Sequence, residues 1–245
     1  MTHALFSRML TPSRAKSYAP LAMLGAVAGF VGLIVPAMGA YPGGTAWDRT
    51  APGNDFWLNF LCDLERTVAL NGEPNATGSR LTQAAMLVLT LGLVTLWWYL
   101  PRFFPTRARL GHAVRAFGSV AVVGALGVGL MPADRFGGVH GTAILLAGFP
   151  GLAAALLAVL GLVRERRAPR VLAALGAVAV LVSAVDFGLY VRQNFVPDPG
   201  PVALAILERV SIIVVLAWIC AVALSARHRA VCSELHGREQ LGSQS

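Results

Sequence analysis

Chemistry in this chain has few places to sit. Cys62, Asp63, Glu65 and Arg66 form one cluster, Asp134, Arg135 and His140 a second, and Asp186, Arg192, Glu208 and Arg209 a third. An imidazole with carboxyls in reach could act as a base, a proton relay or a ligand. Metal-assisted hydrolysis needs about three protein ligands and an open position. His140 with Asp63, Asp134 or Asp186 could supply such a set, and His140, Asp134 and Asp63 are the catalytic candidates. Cys62 with His140 would be a nucleophile and its base, a pairing that a lone cysteine seldom fulfils. Gly-x-Ser-x-Gly, HExxH and phosphate-cradling glycine motifs are missing from the sequence. We therefore expect no resident metal and no cofactor.

What positions these residues is set by composition. Of 245 residues, 56% are hydrophobic and 13% charged, with mean hydropathy +0.65. Soluble domains carry about 25% charged residues, so a water-soluble globule is excluded, as is disorder. A span needs about 20 apolar residues. Six stretches qualify, at about 20–40, 81–103, 114–131, 140–163, 171–191 and 202–224. The fold expected is all-α, a bundle of six transmembrane helices. Residues 1–19 are a cytoplasmic N-terminal segment, 20–225 the membrane domain with a long outer loop 41–80, and 226–245 a disordered cytoplasmic tail.

Sidedness follows the basic residues. Fourteen of the twenty Lys and Arg fall in the N-terminus, the connections around Arg102–Arg115 and Arg164–Arg170, and the tail. Arg49, Arg66, Arg80, Arg135 and Arg192 lie on the other side, so both termini are expected in the cytoplasm of a cell with the chain in its inner (plasma) membrane. A net charge of +8 dispersed in short loops does not make a nucleic-acid face. Cys62, Cys220 and Cys232 fall at three different levels and are not expected to pair. The basic start with Ala37-Met38-Gly39-Ala40 also fits a cleaved signal peptide. The run is long enough to stay as a span.

Nine of the twelve acidic residues lie on the outer side. Asp186 and Glu208 flank the last outer loop at roughly 10–12 Å depth, where a charge is costly without a partner. Arg209 with Asp186, and Glu208 with Arg66, Arg135 or Arg192, would form a network. Residues 59–66 suggest a short helix at the interface, and Gly137-Gly138 delivers His140 to a helix end. Gly25 with Gly29, and Gly137 with Gly141, have the spacing of close helix packing; Pro150 suggests a kink.

Three features resemble a bacterial membrane family grouped as domain of unknown function 998 (DUF998), distantly similar to the DRAM-like proteins of eukaryotes. They are Leu61-Cys62-Asp63-Leu64-Glu65, where the family pattern ends Ser-Asp-Leu-Gly; Pro132-Ala133-Asp134 followed by His140; and Glu208-Arg209 with Trp218. Cys62 and Glu65 depart from that pattern. The resemblance implies about six helices and an unassigned role. Taken together, the residues point to an outward-facing polar cavity that binds a lipid headgroup or small polar ligand, lined by Asp63, Arg66, Asp134, Arg135, His140, Asp186, Arg192, Glu208 and Arg209. An ion-pair lattice holding the outer half of the bundle uses the same residues. The alternatives in function are a lipid hydrolase or transferase using His140 and the carboxyls, and a scaffold subunit. Membrane lipids are the expected partners, and the sequence is compatible with a homo-oligomer.

Overall fold

In hydrocarbon every backbone amide must be satisfied within the chain, which leaves the helix as the economical way to cross. A computed structural model describes residues 12–193 and 200–242, with side chains at 18–193 and 200–230. Its helices are α1 (Pro12–Ala40), α2 (Leu61–Glu65), α3 (Ala76–Tyr99), α4 (Ala108–Leu130), α5 (Ala133–Phe136), α6 (Gly138–Arg164), α7 (Arg170–Gln193) and α8 (Ala203–Gly242). Six of them, α1, α3, α4, α6, α7 and α8, are long and apolar enough to span a membrane. The six-span, all-helical architecture read from the sequence is present. The helix α8 runs on to Gly242, past residue 225 where the tail was expected to begin. Arg8, Asp198, Glu234 and Cys232 lie outside the described residues or side chains.

Packing follows chain order. α1 packs on α3, α3 on α4, α4 on α6, α6 on α7, α7 on α8, and α8 returns to α1, which closes a ring. Large apolar side chains such as Leu91, Val163 and Leu181 point outward and stay exposed, as a lipid-facing surface requires. The interior mixes small residues such as Ala37, Ala85, Ala154 and Ala158 with large ones such as Met23, Phe103, Phe104 and Leu172, and Trp218 is set against Gly176. Its indole N–H donates to the Leu172 carbonyl at 2.9 Å, so the ring's one polar atom is satisfied in the core.

At Gly124 two helices approach backbone to backbone, and a Cβ there would fall 2.2 Å from the Ala147 backbone nitrogen. Glycine spacing does not single out that position, on α4 against α6. Of the four glycines that it does single out, Gly29 alone sits at a close contact: a Cβ there would lie 2.9 Å from Val88. Gly25 and Gly137 have nothing within 4 Å, and Gly141 has an ordinary 3.7 Å neighbour in Tyr190.

The two ends of the ring differ. At one end Thr106 Oγ1 donates to Glu165 at 2.6 Å, and Arg229 donates to the Arg167 carbonyl at 2.8 Å while lying 4.4 Å from the Phe103 ring. The arginine-rich connections therefore meet there. At the other end the segment between α1 and α3 folds into a cap. Isolated bridges join Gly43 to Pro52 and Val68 to Pro74. Asn59 Nδ2 donates to the Gly44 carbonyl at 2.8 Å, and Asn75 Nδ2 to the carbonyls of Leu64 and Arg66 at 3.0 and 2.9 Å. Gly44 has φ +86, and a Cβ there would meet the Asn71 backbone nitrogen at 2.5 Å; only glycine permits both.

Candidate functional site

The short helix expected at the interface forms as α2, but it faces inward. Leu61, Asp63, Leu64 and Glu65 are buried, so α2 plugs the capped end of the ring. Asp63 Oδ2 accepts the Phe60 amide at 2.9 Å and the Asn59 side-chain amide at 3.2 Å, which holds the first turn of α2 from within. Burial pushes the Asp63 carboxyl above its ordinary value despite those bonds.

Beneath α2 lies a cavity of about 550 Å³. Four of the nine residues picked from the sequence line it: Asp63, His140, Asp186 and Glu208. They arrive from α2, α6, α7 and α8, and they share the space with apolar side chains such as Met86, Ile144 and Phe187. Glu208 Oε2 accepts the Leu61 amide at 3.1 Å, which ties α8 to the start of α2.

Four others brace the cap. Arg209, 1% exposed, donates through Nε to the Phe56 carbonyl at 2.9 Å and through Nη2 to the Asn59 carbonyl at 2.7 Å. Asp134 Oδ2 accepts the Thr67 amide and hydroxyl at 3.0 and 2.6 Å and the Val68 amide at 3.1 Å. Burial is the largest single influence on the Asp134 carboxyl and raises it, but these bonds together outweigh burial and hold the group below its ordinary value. Arg135 donates to Thr67 Oγ1 at 3.1 Å, and Arg66 to the Val68 carbonyl at 3.3 Å. Arg192 is exposed and lines no part of the cavity.

The expected ion pairs are corrected by these contacts. Arg209 does not pair with Asp186, nor Glu208 with Arg66, Arg135 or Arg192, among the described residues; backbone groups of the cap take their place. Peptide carbonyls brought into the bundle by the cap lie closer to the guanidinium than any carboxylate does, and each needs a donor once it is out of water.

Cys62, which contacts His140, and Glu65 matter more than the sequence suggested. His140 is 4% exposed, with Nδ1 2.6 Å from the Met131 carbonyl and Nε2 3.3 Å from Cys62 Sγ. Because a carbonyl can only accept, Nδ1 carries the proton and Nε2 faces the thiol as an acceptor. Burial, with nearby carboxylates, pushes the Cys62 thiol well up, so it is held as S–H rather than thiolate. Glu65, 1% exposed, lines the cavity, and its Oε1 is buried without a hydrogen-bond partner. Burial, with the Asp134 charge nearby, raises this carboxyl to about 8, so it is neutral at pH 7. Its i,i+3 spacing from Cys62 is the sequence signal that the two share a helix face.

Among the described residues no group of three or more His, Cys, Asp or Glu could hold a metal ion. Cys62 and Cys220 are free thiols.

Six apolar helices closed into a ring define a multi-pass integral membrane protein. A family model described as protein of unknown function (DUF998) matches residues 50–225, and the chain belongs to that family. The matched stretch contains α2 and every residue that lines the cavity. Neither curated proteins nor solved structures give a match.

Proposed function

We propose that this protein is a membrane-embedded binding protein whose cavity receives a lipid headgroup or a small polar ligand from the outer face of the plasma membrane. The observation that carries this reading is the convergence of Asp63, Glu65, His140, Asp186 and Glu208 from four helices on one space of about 550 Å³. Binding sites of this size are mostly apolar with a few polar groups that fix orientation. Grouping of the arginine-rich connections at the opposite end supports an outward-facing cavity with both termini in the cytoplasm.

Native mass spectrometry of the full chain released from mild nonionic detergent tests the reading. We expect a retained adduct that is reduced in Ile144→Trp, where the larger side chain fills the cavity. A bare protein, or an adduct equally retained in that variant, overturns it and leaves the scaffold reading in front.

A hydrolase or transferase is the second reading, and the 3.3 Å approach of His140 Nε2 to Cys62 Sγ favours it. Nucleophilic catalysis needs the thiolate, which burial opposes here. Turnover of lipid esters that disappears in Cys62→Ala would promote it above binding.

A further inference from the structure

A second cavity of about 250 Å³ adjoins the first, and the two share Ala147, Gly148, Asp186 and Phe187 in their linings. It runs between α3, α6, α7 and α8 and reaches Trp97, Ala179 and Trp218. Ala179 lies seven residues before Asp186 on α7, about 10 Å further into the bundle. Its ionisable lining is Asp186 alone; Ser183 is the other polar residue, and its hydroxyl is held by Ser211 at 2.7 Å. The upper cavity thus collects carboxyls and the lower one is apolar.

The ionisable lining of the upper cavity is one-sided. Asp63, Glu65, Asp186 and Glu208 line it with His140, and among the described residues no Lys or Arg does. Arg209, the nearest buried cation, has its guanidinium directed to two carbonyls of the cap. Glu65 adds a carboxyl oxygen that is fully buried and without any donor. Such an atom costs about 1–3 kcal/mol until a donor reaches it. A phosphate head would add negative charge to this set, whereas an ammonium head brings three donors and the opposite sign.

We propose that the occupant is a single-chain amphiphile with a protonated amine head, the head held by Glu65, Asp186 and Glu208 and the chain passing Phe187 into the lower cavity. This deepens the binding reading above and rests on it. Phe187 sits at the junction, edge-on to Phe149 at 4.8 Å. Its seat depends on Gly148, where a Cβ would fall 2.2 Å from the ring.

The test uses the full chain in nonionic micelles, with dodecylamine, hexylamine, dodecyl phosphate, dodecanol and ethanolamine as probes in native mass spectrometry. We expect dodecylamine to be retained about tenfold over dodecyl phosphate, which corresponds to about 1.4 kcal/mol. In the double variant Asp186→Asn with Glu208→Gln, dodecylamine should fall to the level of dodecanol; the second substitution keeps a side-chain oxygen to accept the Leu61 amide. In Ala179→Leu the preference should move from dodecylamine to hexylamine. Retention of dodecyl phosphate at or above dodecylamine overturns the charge assignment while the cavity reading stands. Amine retention unchanged in the double variant does the same, because it marks adsorption elsewhere. Displacement of dodecylamine by equimolar ethanolamine overturns the chain slot. Retention of ethanolamine alone overturns the chain slot and leaves the binding reading standing; if no probe is retained, the binding reading falls with the proposal.

Discussion

His140 Nε2 lies 3.3 Å from Cys62 Sγ, and its Nδ1 lies 2.6 Å from the Met131 carbonyl. One imidazole therefore joins α2 in the cap to the turn that ends α4. The thiol is the donor in this contact, so its loss leaves a buried nitrogen lone pair. We expect Cys62→Val to cost about 1–3 kcal/mol and Cys62→Ser, which restores a donor, to cost less. Apparent Tm in detergent, read by intrinsic tryptophan fluorescence, orders the three proteins. Equal Tm values for the Val and Ser variants would remove the histidine–thiol contact from the stability of the cap.

Arg209 makes the longer link, from α8 to two carbonyls 150 and 153 residues earlier in the chain. Removing it leaves both carbonyls buried and unsatisfied. We expect Arg209→Met to lower stability by about 2–5 kcal/mol and to expose the segment between α1 and α3 to protease. Lys should not rescue it, since a single ammonium cannot reproduce the two-nitrogen fork. Limited proteolysis that leaves the Met variant as resistant as the parent would sink this role.

Much of the fold was legible because transmembrane helices announce themselves by length and apolarity alone. The spans at 140–163 and 171–191 lie within a few residues of α6 and α7. Which residues share a site was legible only in part. Depth counting from the last loop puts Asp186 and Glu208 together, and both line the cavity. Partner choice was not legible, because Arg209 binds backbone carbonyls, and which peptide groups a cap presents depends on its tertiary path. Glu65 escapes a sequence reading for a related reason: that it carries an unpartnered oxygen is visible only once its surroundings are built.

Glycine spacing illustrates the same limit. Gly124 sits where a Cβ would press on the backbone of Leu146 and Ala147, whereas Gly25 faces open space. We expect Gly124→Leu to destabilise by about 1–3 kcal/mol or more, as overpacking does. Gly25→Ala should instead be neutral or gain about 0.5–1 kcal/mol from helix propensity. Thermal unfolding of the two variants side by side decides it, and a stable Gly124→Leu protein would show that α4 and α6 can separate.

Glu65 gives the sharpest dependence on pH. Its carboxyl titrates at about 8 in the folded protein against an ordinary 4.5, so between those values the folded state holds a proton that the unfolded state has released. Stability from this group is greatest below pH 4.5 and declines as pH rises towards 8. The full span is of order 4–5 kcal/mol, at about 1.36 kcal/mol per unit. Asp63, also raised by burial, acts with the same sign, whereas Asp134, lowered by its three hydrogen bonds, acts oppositely and only in acid. The Glu65→Gln variant keeps the shape and cannot titrate. We expect its apparent Tm to be flatter than the parent's from pH 5 to 8, with the variant the more stable at pH 8. Parallel curves across that range would mean that Glu65 is ionised in the fold, with a donor or a cation already beside it.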